Sequence, residues 1–330
     1  MKHTIFLILW LLIPRDSLSV MCWNVENFFD WRNDSLTVSD AEFSSRGERH
    51  WTWKRFQAKA NAFAKALFWV EGETGRLPDI VGLEEVENAF VLRQVLRRTA
   101  LRKTDYKYVH YDSPDRRGID VALLYRSSVL ELIDSKPCHL FEADSVMATR
   151  DILLCVFRRK VENTVIPGLT GNLPESPPFA VLVNHHPSKY GGAAESEPKR
   201  RIAVDRLRFL ADSLASEGID RIIAGGDFND TPDNPVFLRL DPALKPLHTA
   251  LSRRGEGTIK YDGKWDLIDH FYASPALLEF GPSMRILRIP FLLTRDTAHS
   301  GDKPLRTYTG PRPTGGVSDH LPIIAIFSVS

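Results

Sequence analysis

The sequence predicts a mixed α/β domain in which two sheets pack face to face with helices outside. Three observations lead there. Strand-like and helix-like segments alternate from residue 20 to the end of the chain. The strand-like segments are mostly short, continuous apolar runs, the pattern of strands covered on both faces. Two polar stretches interrupt them, Asn33–Arg49 and Asn163–Pro178, and the strand–helix rhythm resumes after each, so neither reads as a domain linker.

Lys2 and His3 precede an apolar run from Ile5 to Ile13, then Pro14 and the small-residue pattern Ser17-Leu18-Ser19. This is the layout of a secretory signal, and the run is too short to span a bilayer as a helix. Residues 1–19 are therefore expected to direct export to the periplasm or the medium, leaving residues 20–330 as one domain. The alternative is a buried first strand. Val20–Val25 is the first strand-like run, and Lys54–Val70 carries Phe56, Ala60, Phe63, Ala64, Leu67 and Phe68 at helical spacing with Lys54, Lys59 and Lys65 between them. Ile80–Leu83 reads as a strand and Ala89–Leu101 as an amphipathic helix. Val121–Tyr125, Ile152–Phe157, Phe179–Val183 and Ile219–Ala224 are further apolar runs, with a helix over Lys199–Ser216 before the last of them. Strands near Leu267–Ala273 and Leu321–Phe327 complete the chain. Asn163–Pro178, rich in Pro, Gly and Asn, is expected to cap a long hairpin.

Composition narrows the function classes. With 330 residues, 43% hydrophobic and 26% charged, the chain is a folded protein. Its 43 Lys and Arg against 42 Asp and Glu leave a formal charge of +1, so bulk charge gives no argument for nucleic acid, although a local basic track remains open. Three cysteines make neither a disulfide framework nor a zinc cluster, and Cys22 and Cys155 lie in apolar runs and read as core.

The informative feature is where polar residues fall. Five apolar runs end in acidic, amide or imidazole side chains: Trp23-Asn24-Val25-Glu26-Asn27, Leu83-Glu84-Glu85-Val86-Glu87-Asn88, Val183-Asn184-His185-His186, Gly226-Asp227-Phe228-Asn229-Asp230 and Ser318-Asp319-His320-Leu321-Pro322. Strand ends of this kind converge on a polar cleft. Carboxylate and amide oxygens without thiolates suit a hard cation, Mg²⁺ or Mn²⁺. Imidazoles beside carboxylates suit proton transfer near neutral pH. No serine or cysteine sits in a nucleophile elbow and no Gly-rich loop opens a helix, so the set favours attack of activated water on phosphorus.

These segments resemble the endonuclease/exonuclease/phosphatase superfamily, the DNase I-like phosphoesterases, in the family's order over residues 21–326. The resemblance implies a four-layer α/β sandwich and a metal-dependent phosphoesterase. Its roles carry over by position: Glu85 to the carboxylate on the metal, Asn24, Glu26 and Asp319 to its surroundings, and Asp227 to the group that positions or deprotonates water. Asn229 matches a phosphate-holding residue, His185 a residue on the scissile phosphate, and His320 the final histidine, oriented by Asp269. The residue before Glu85 is usually Gln and is Glu84 here, which leaves two adjacent candidates for the ligand. The stretch from His185 to Gly192 looks like that of secreted bacterial members.

Blander readings stand beside these. Glu85 also suits a helix N-terminus, and Asp227 with Asn229 suits a turn. His186 is as well explained by packing as by chemistry. Arg150 and Lys189 are candidates for substrate phosphate, and each equally suits a rim salt bridge. Asp120 suits a turn or a partner for His185. The basic run Lys199-Arg200-Arg201 with Arg206 and Arg208 reads as a solvated helix face. Asp319 and His320 are adjacent, so they serve one cleft only if the backbone turns between Ser318 and Pro322. The substrate is expected to be a phosphate ester, nucleic acid first, with a phosphomonoester or lipid diester as the alternative and a degenerate binding module as the rival from another class. No stable protein partner is implied, and a monomer is expected.

Overall fold

The computed structural model describes residues 17–32, 41–160, 176–189 and 192–328. Twelve strands form its two large sheets. They are β1 (Ser17–Phe28), β2 (Ile80–Val86), β3 (Tyr106–His110), β4 (Asp120–Arg126), β5 (Leu130–Cys138) and β6 (Ile152–Arg159). Then come β7 (Phe179–His185), β8 (Ile222–Asp227), β9 (Lys245–Pro246), β10 (Asp269–Ala273), β11 (Ser283–Ile286) and β12 (Ile323–Ser328). The first sheet runs β11-β12-β1-β2-β4-β3 and the second β9-β10-β8-β7-β6-β5. Each holds one parallel pair at its middle, β1 with β2 and β7 with β8. The other neighbours within these sheets are antiparallel.

Side chains alternate across a strand, so a run that is apolar at every position must be covered on both faces. That is what the central strands show. On β1, Leu18, Val20 and Cys22 enter the core between the sheets, while Met21, Trp23 and Val25 face the helices α1 (Trp53–Thr74) and α2 (Ala89–Arg98). On β7, Val181 and Val183 point between the sheets, and Ala180 and Leu182 meet α3 (Ala193–Ser216) through Val204, Leu207 and Leu214. Three apolar layers therefore separate four structural layers, helix, sheet, sheet, helix: the four-layer sandwich expected from the resemblance. Among the described residues no helix is long and apolar enough to cross a membrane.

The sheets approach closely beneath one end. A Cβ on Gly225 would stand 2.3 Å from the Phe271 ring and 2.8 Å from Cys22 Sγ, and one on Gly82 would stand 2.9 Å from the same sulfur. Overpacking of this kind costs about 1–3 kcal/mol, so glycine at both positions lets the two sheets meet there.

Several expectations are refined. β1 starts at Ser17, pairing Ser17 to Ser19 with Ser328 to Ile326, and the Ser19 hydroxyl donates to Asp79. A cut after Ser19 would thus remove the first residues of a described strand; residues 1–16 of the expected signal lie outside the described residues. The helix expected over Ala89–Leu101 ends at Arg98, where the Thr99 hydroxyl accepts the Leu101 N–H and opens a separate 3₁₀ turn. α3 starts at Ala193 rather than Lys199, and Arg200 is not on its solvated face: its guanidinium is buried against Asp230 at 3.0 Å. β6 and β7 pair as the expected hairpin, though most of its loop, residues 161–175, lies outside the described residues. Cys22, Cys138 and Cys155 are all free and buried.

Candidate active site

The alternation that builds the core also gathers the polar residues. The positions facing the inter-sheet core on β1 (18, 20, 22) continue to Asn24, those on β7 (181, 183) to His185, and those on β8 (223, then Gly225) to Asp227. Counting back along β10 from Ala273 and Phe271 gives Asp269. Register puts Asp227 beside both His185 and Asp269, so these side chains meet at one end of the sandwich. His320 joins from the turn ahead of β12. The Ser318 hydroxyl donates to the Asn24 carbonyl at 2.6 Å and accepts the His320 N–H at 2.9 Å, while Trp23 Nε1 donates to the His320 carbonyl at 3.0 Å. This is the backbone turn that lets Asp319 and His320 share a cleft.

His320 lies between two carboxylates. Its Nδ1 is 2.9 Å from Asp269 Oδ2, and its Nε2 is 3.9 Å from Asp227 Oδ2. Burial opposes a charge on the ring, but Asp269 and Asp227 outweigh it and hold the imidazole well above its ordinary value. Burial pushes Asp227 up to about 7, with Asp269 adding to it and His320 opposing it. Each group favours the other's charge, the carboxylate the imidazolium and the imidazolium the carboxylate. Asn24 donates to Asp227 Oδ2 at 3.1 Å and the Asn229 N–H to Oδ1 at 2.8 Å, fixing the carboxylate. Asn229 itself, at positive φ, anchors its amide on the His186 carbonyl at 2.9 Å. His185 Nε2 stands 3.7 Å from Asp227 and 4.0 Å from Glu85; burial, then Arg150 and Arg117, keep its ring neutral.

A second group adjoins the first. Glu26, Glu85 and Asp319 all act on the Arg306 guanidinium, and on Lys59 beneath it. Burial, with Asp319 beside it, pushes Glu26 up to about 7. Three carboxylates gathered around one point are the hard-oxygen donor set a divalent cation takes, so the residues fit the metal that the family implies. Glu85, not Glu84, opens to this group: its backbone takes φ +64, and its carboxylate accepts the Asn27 N–H at 2.8 Å and faces Arg117 at 3.4 Å. Glu84 is fully buried with both oxygens unpartnered, and burial first, then Asp269 and Asp227, push its carboxyl well above the ordinary carboxylate range. Asp227, Asp269 and His320 also place ligand atoms within 4.8 Å of one another, as do His110, Asp112 and Asp120.

The remaining candidates serve the frame. Arg150 is buried, with Nη1 on Asp115 at 3.1 Å and Nη2 on the His186 carbonyl at 2.9 Å, so it braces the wall behind the site. Lys189 pairs with Asp230 at 2.7 Å. Asp120 holds His110 at 3.1 Å and not His185. His186 packs on Phe228, ring centroids 4.6 Å apart, in a cluster that continues through His270 to His248. Burial drives His186 down to about 3 and His248 to about 4. The folded state therefore keeps these rings neutral while an unfolded chain protonates them below its ordinary value of about 6.5. Stability from them is complete above that pH and is lost as pH falls toward 4. His248→Phe should remove about 2 kcal/mol of the loss between pH 7 and pH 5, read as a smaller shift in urea midpoint than wild type shows.

Sequence reasoning misses Lys59, Thr258, Arg306 and Thr307. Helical spacing puts Lys59 among the polar positions of its helix, yet it is buried, donating to the Glu26 carbonyl at 2.5 Å and to Thr307 Oγ1 at 2.9 Å. A signal does exist: position 59 falls inside the stripe of Phe56, Ala60 and Phe63. The Thr258 hydroxyl donates to Asp269 Oδ2, the oxygen that also faces His320 Nδ1. Thr258, Arg306 and Thr307 sit in irregular segments with no pattern to mark them.

A model of the endonuclease/exonuclease/phosphatase family matches residues 19–328 of the chain. No curated protein matches at a significant level. Among solved structures, the catalytic domain of human Nocturnin aligns at 17% identity and TM-score 0.56, covering 97% of each chain. Zebrafish (D. rerio) TDP2 complexed with a single-strand DNA product aligns at 15% and 0.54, covering 94% of this chain and 98% of that one. A mannosyl-6-phosphatase of Bacteroides thetaiotaomicron aligns at 16% and 0.54, covering 93% and 98%. At these identities the likeness speaks for the fold, and the family match, spanning nearly the whole chain, speaks for descent: the protein belongs to the endonuclease/exonuclease/phosphatase family.

Proposed function

We propose that this chain is a Mg²⁺- or Mn²⁺-dependent phosphodiesterase that cleaves nucleic acid with activated water. The observation that carries the reading is the meeting of Asp227, His320 and Asp269 with the Glu26, Glu85 and Asp319 carboxylates at one end of the sandwich. A divalent cation held by Glu85 and its neighbours would neutralise charge on the phosphoryl oxygens. Asp227 orients the attacking water and takes its proton. His320, kept cationic by Asp269, bears on the same phosphate, and His185 offers a neutral ring on its other flank. Charges fixed in place before the reaction starts are expected to supply most of the rate enhancement in this chemistry.

Flanking cations favour a diester over a monoester. Arg49 and Arg306 line a cavity of about 150 Å³ beside Glu26. Arg116 and Lys199 line one of about 380 Å³ beside Ser188, with the Asp115-bound Arg150 in its wall. A chain of phosphates uses both sides of a cleft, whereas a single terminal phosphate needs one centre. Export over residues 1–19 and a monomeric state belong to the same proposal. The test is hydrolysis of plasmid DNA, RNA, sphingomyelin, bis-p-nitrophenyl phosphate and p-nitrophenyl phosphate under one metal condition. Cleavage of a nucleic acid and of the bis-ester is expected; turnover of the monoester alone would place the chain with the phosphatases.

A further inference from the structure

We infer that Arg306 is a built-in counter-cation of the carboxylate group, and that a divalent ion must displace its guanidinium from Glu26 and Asp319 to bind there. The inference rests on the metal-dependent reading above. Arg306 Nη2 lies 2.8 Å from Glu26 Oε1 and 3.1 Å from Asp319 Oδ2, and its Nε lies 3.0 Å from the same Glu26 oxygen. The other Glu26 oxygen accepts the Thr307 N–H at 2.7 Å. Glu26 Oε1 is thus gripped twice by Arg306, and a metal that takes this oxygen competes with the guanidinium.

The two cations of the group differ in their freedom to leave. Lys59 is buried, with its ammonium bonded to the Glu26 carbonyl and the Thr307 hydroxyl, and stays. The Arg306 side chain is 50% exposed and borders the cavity lined by Phe43, Arg49 and Tyr308, which gives it somewhere to turn. Charge balance permits the exchange. Arg306, Lys59 and Arg117, the last 3.4 Å from Glu85, set three monovalent cations against the three carboxylates, and a divalent ion in place of the Arg306 guanidinium supplies the charge it removes. Metal-free, the site keeps its carboxylates apart from one another by holding Arg306 between them; loaded, it releases the arginine.

Calorimetric titration of Mn²⁺ into the full chelator-stripped chain tests this without any substrate. Arg306→Ala should bind Mn²⁺ about tenfold more tightly than wild type, because no guanidinium competes for the ligand oxygens. Arg306→Lys, which keeps the charge but loses the forked grip, should fall between them. The rise in melting temperature on adding Mn²⁺ should be larger in Arg306→Ala than in wild type. If the alanine variant fails to fold, tighter binding by the lysine variant carries the test. Equal or weaker binding by the folded variants would overturn the inference and make Arg306 a fixed support of the ligands. A wild-type chain that takes up no metal would instead remove the metal-dependent reading, and this inference with it.

Discussion

His320→Ala is expected to lower kcat roughly a hundred- to ten-thousand-fold on the best substrate, the range for loss of a positioned acid–base group. The ring is buried, held by Asp269 at 2.9 Å on one nitrogen, and turned toward Asp227 on the other. Asp269→Asn should cost almost as much, because an amide can neither sustain the imidazolium nor fix its orientation. The double variant should be little worse than either single one, since the two residues act as one unit. Mn²⁺ affinity should hold in Asp269→Asn. Additive losses would separate the residues, and near-normal turnover by a folded His320→Ala chain would remove the ring from the chemistry.

Asp227→Asn should be as damaging by a different route. Its carboxylate accepts from Asn24 and from the Asn229 backbone, and it stands within 4 Å of both His185 and His320. Asparagine keeps the shape but cannot take a proton, and it removes one of the two charges that stabilise His320 as a cation. We expect roughly a hundred- to ten-thousand-fold loss in kcat with little change in KM, since the carboxylate acts on water rather than on substrate binding. A proportionate rise in KM at unchanged kcat would make Asp227 a binding residue.

What can be read in the sequence follows burial. The strands read correctly, β1, β2, β4, β6, β7, β8, β10 and β12, are those with neighbours on both sides, covered by core above and below. Of the strands in the two large sheets, the ones missed, β3, β5, β9 and β11, are the sheet edges; the short two-stranded ribbons, such as Ile259–Tyr261 with Lys264–Asp266, are missed as well. β5 shows why: it is apolar and buried at Leu130 and Cys138 but mostly exposed or half-exposed between them, and it contains Pro137, which an edge tolerates. The catalytic candidates are legible because each directly follows or opens a buried run, so polarity stands out against what surrounds it. Arg306 and Thr258 lack that contrast. Their place comes from tertiary contacts across long sequence separations, Arg306 to Glu26 and Leu321 to Thr258, that no local pattern records. Glu84 and Glu85 are indistinguishable as letters. The left-handed turn at Glu85 separates them, sending one carboxylate to the cleft and leaving the other in the core.

On this reading a hard cation on the Glu26, Glu85 and Asp319 group enables Asp227 and His320 to hydrolyse a phosphate ester. Hydrolysis of bis-p-nitrophenyl phosphate by the full chain, followed first in EDTA and then after Mg²⁺ or Mn²⁺ is restored in excess, tests it most directly. No turnover above background is expected in chelator, with recovery on either ion and failure to recover at the same metal concentration in Glu85→Gln. Full activity in EDTA, or a Glu85→Gln chain that recovers like wild type, would contradict it.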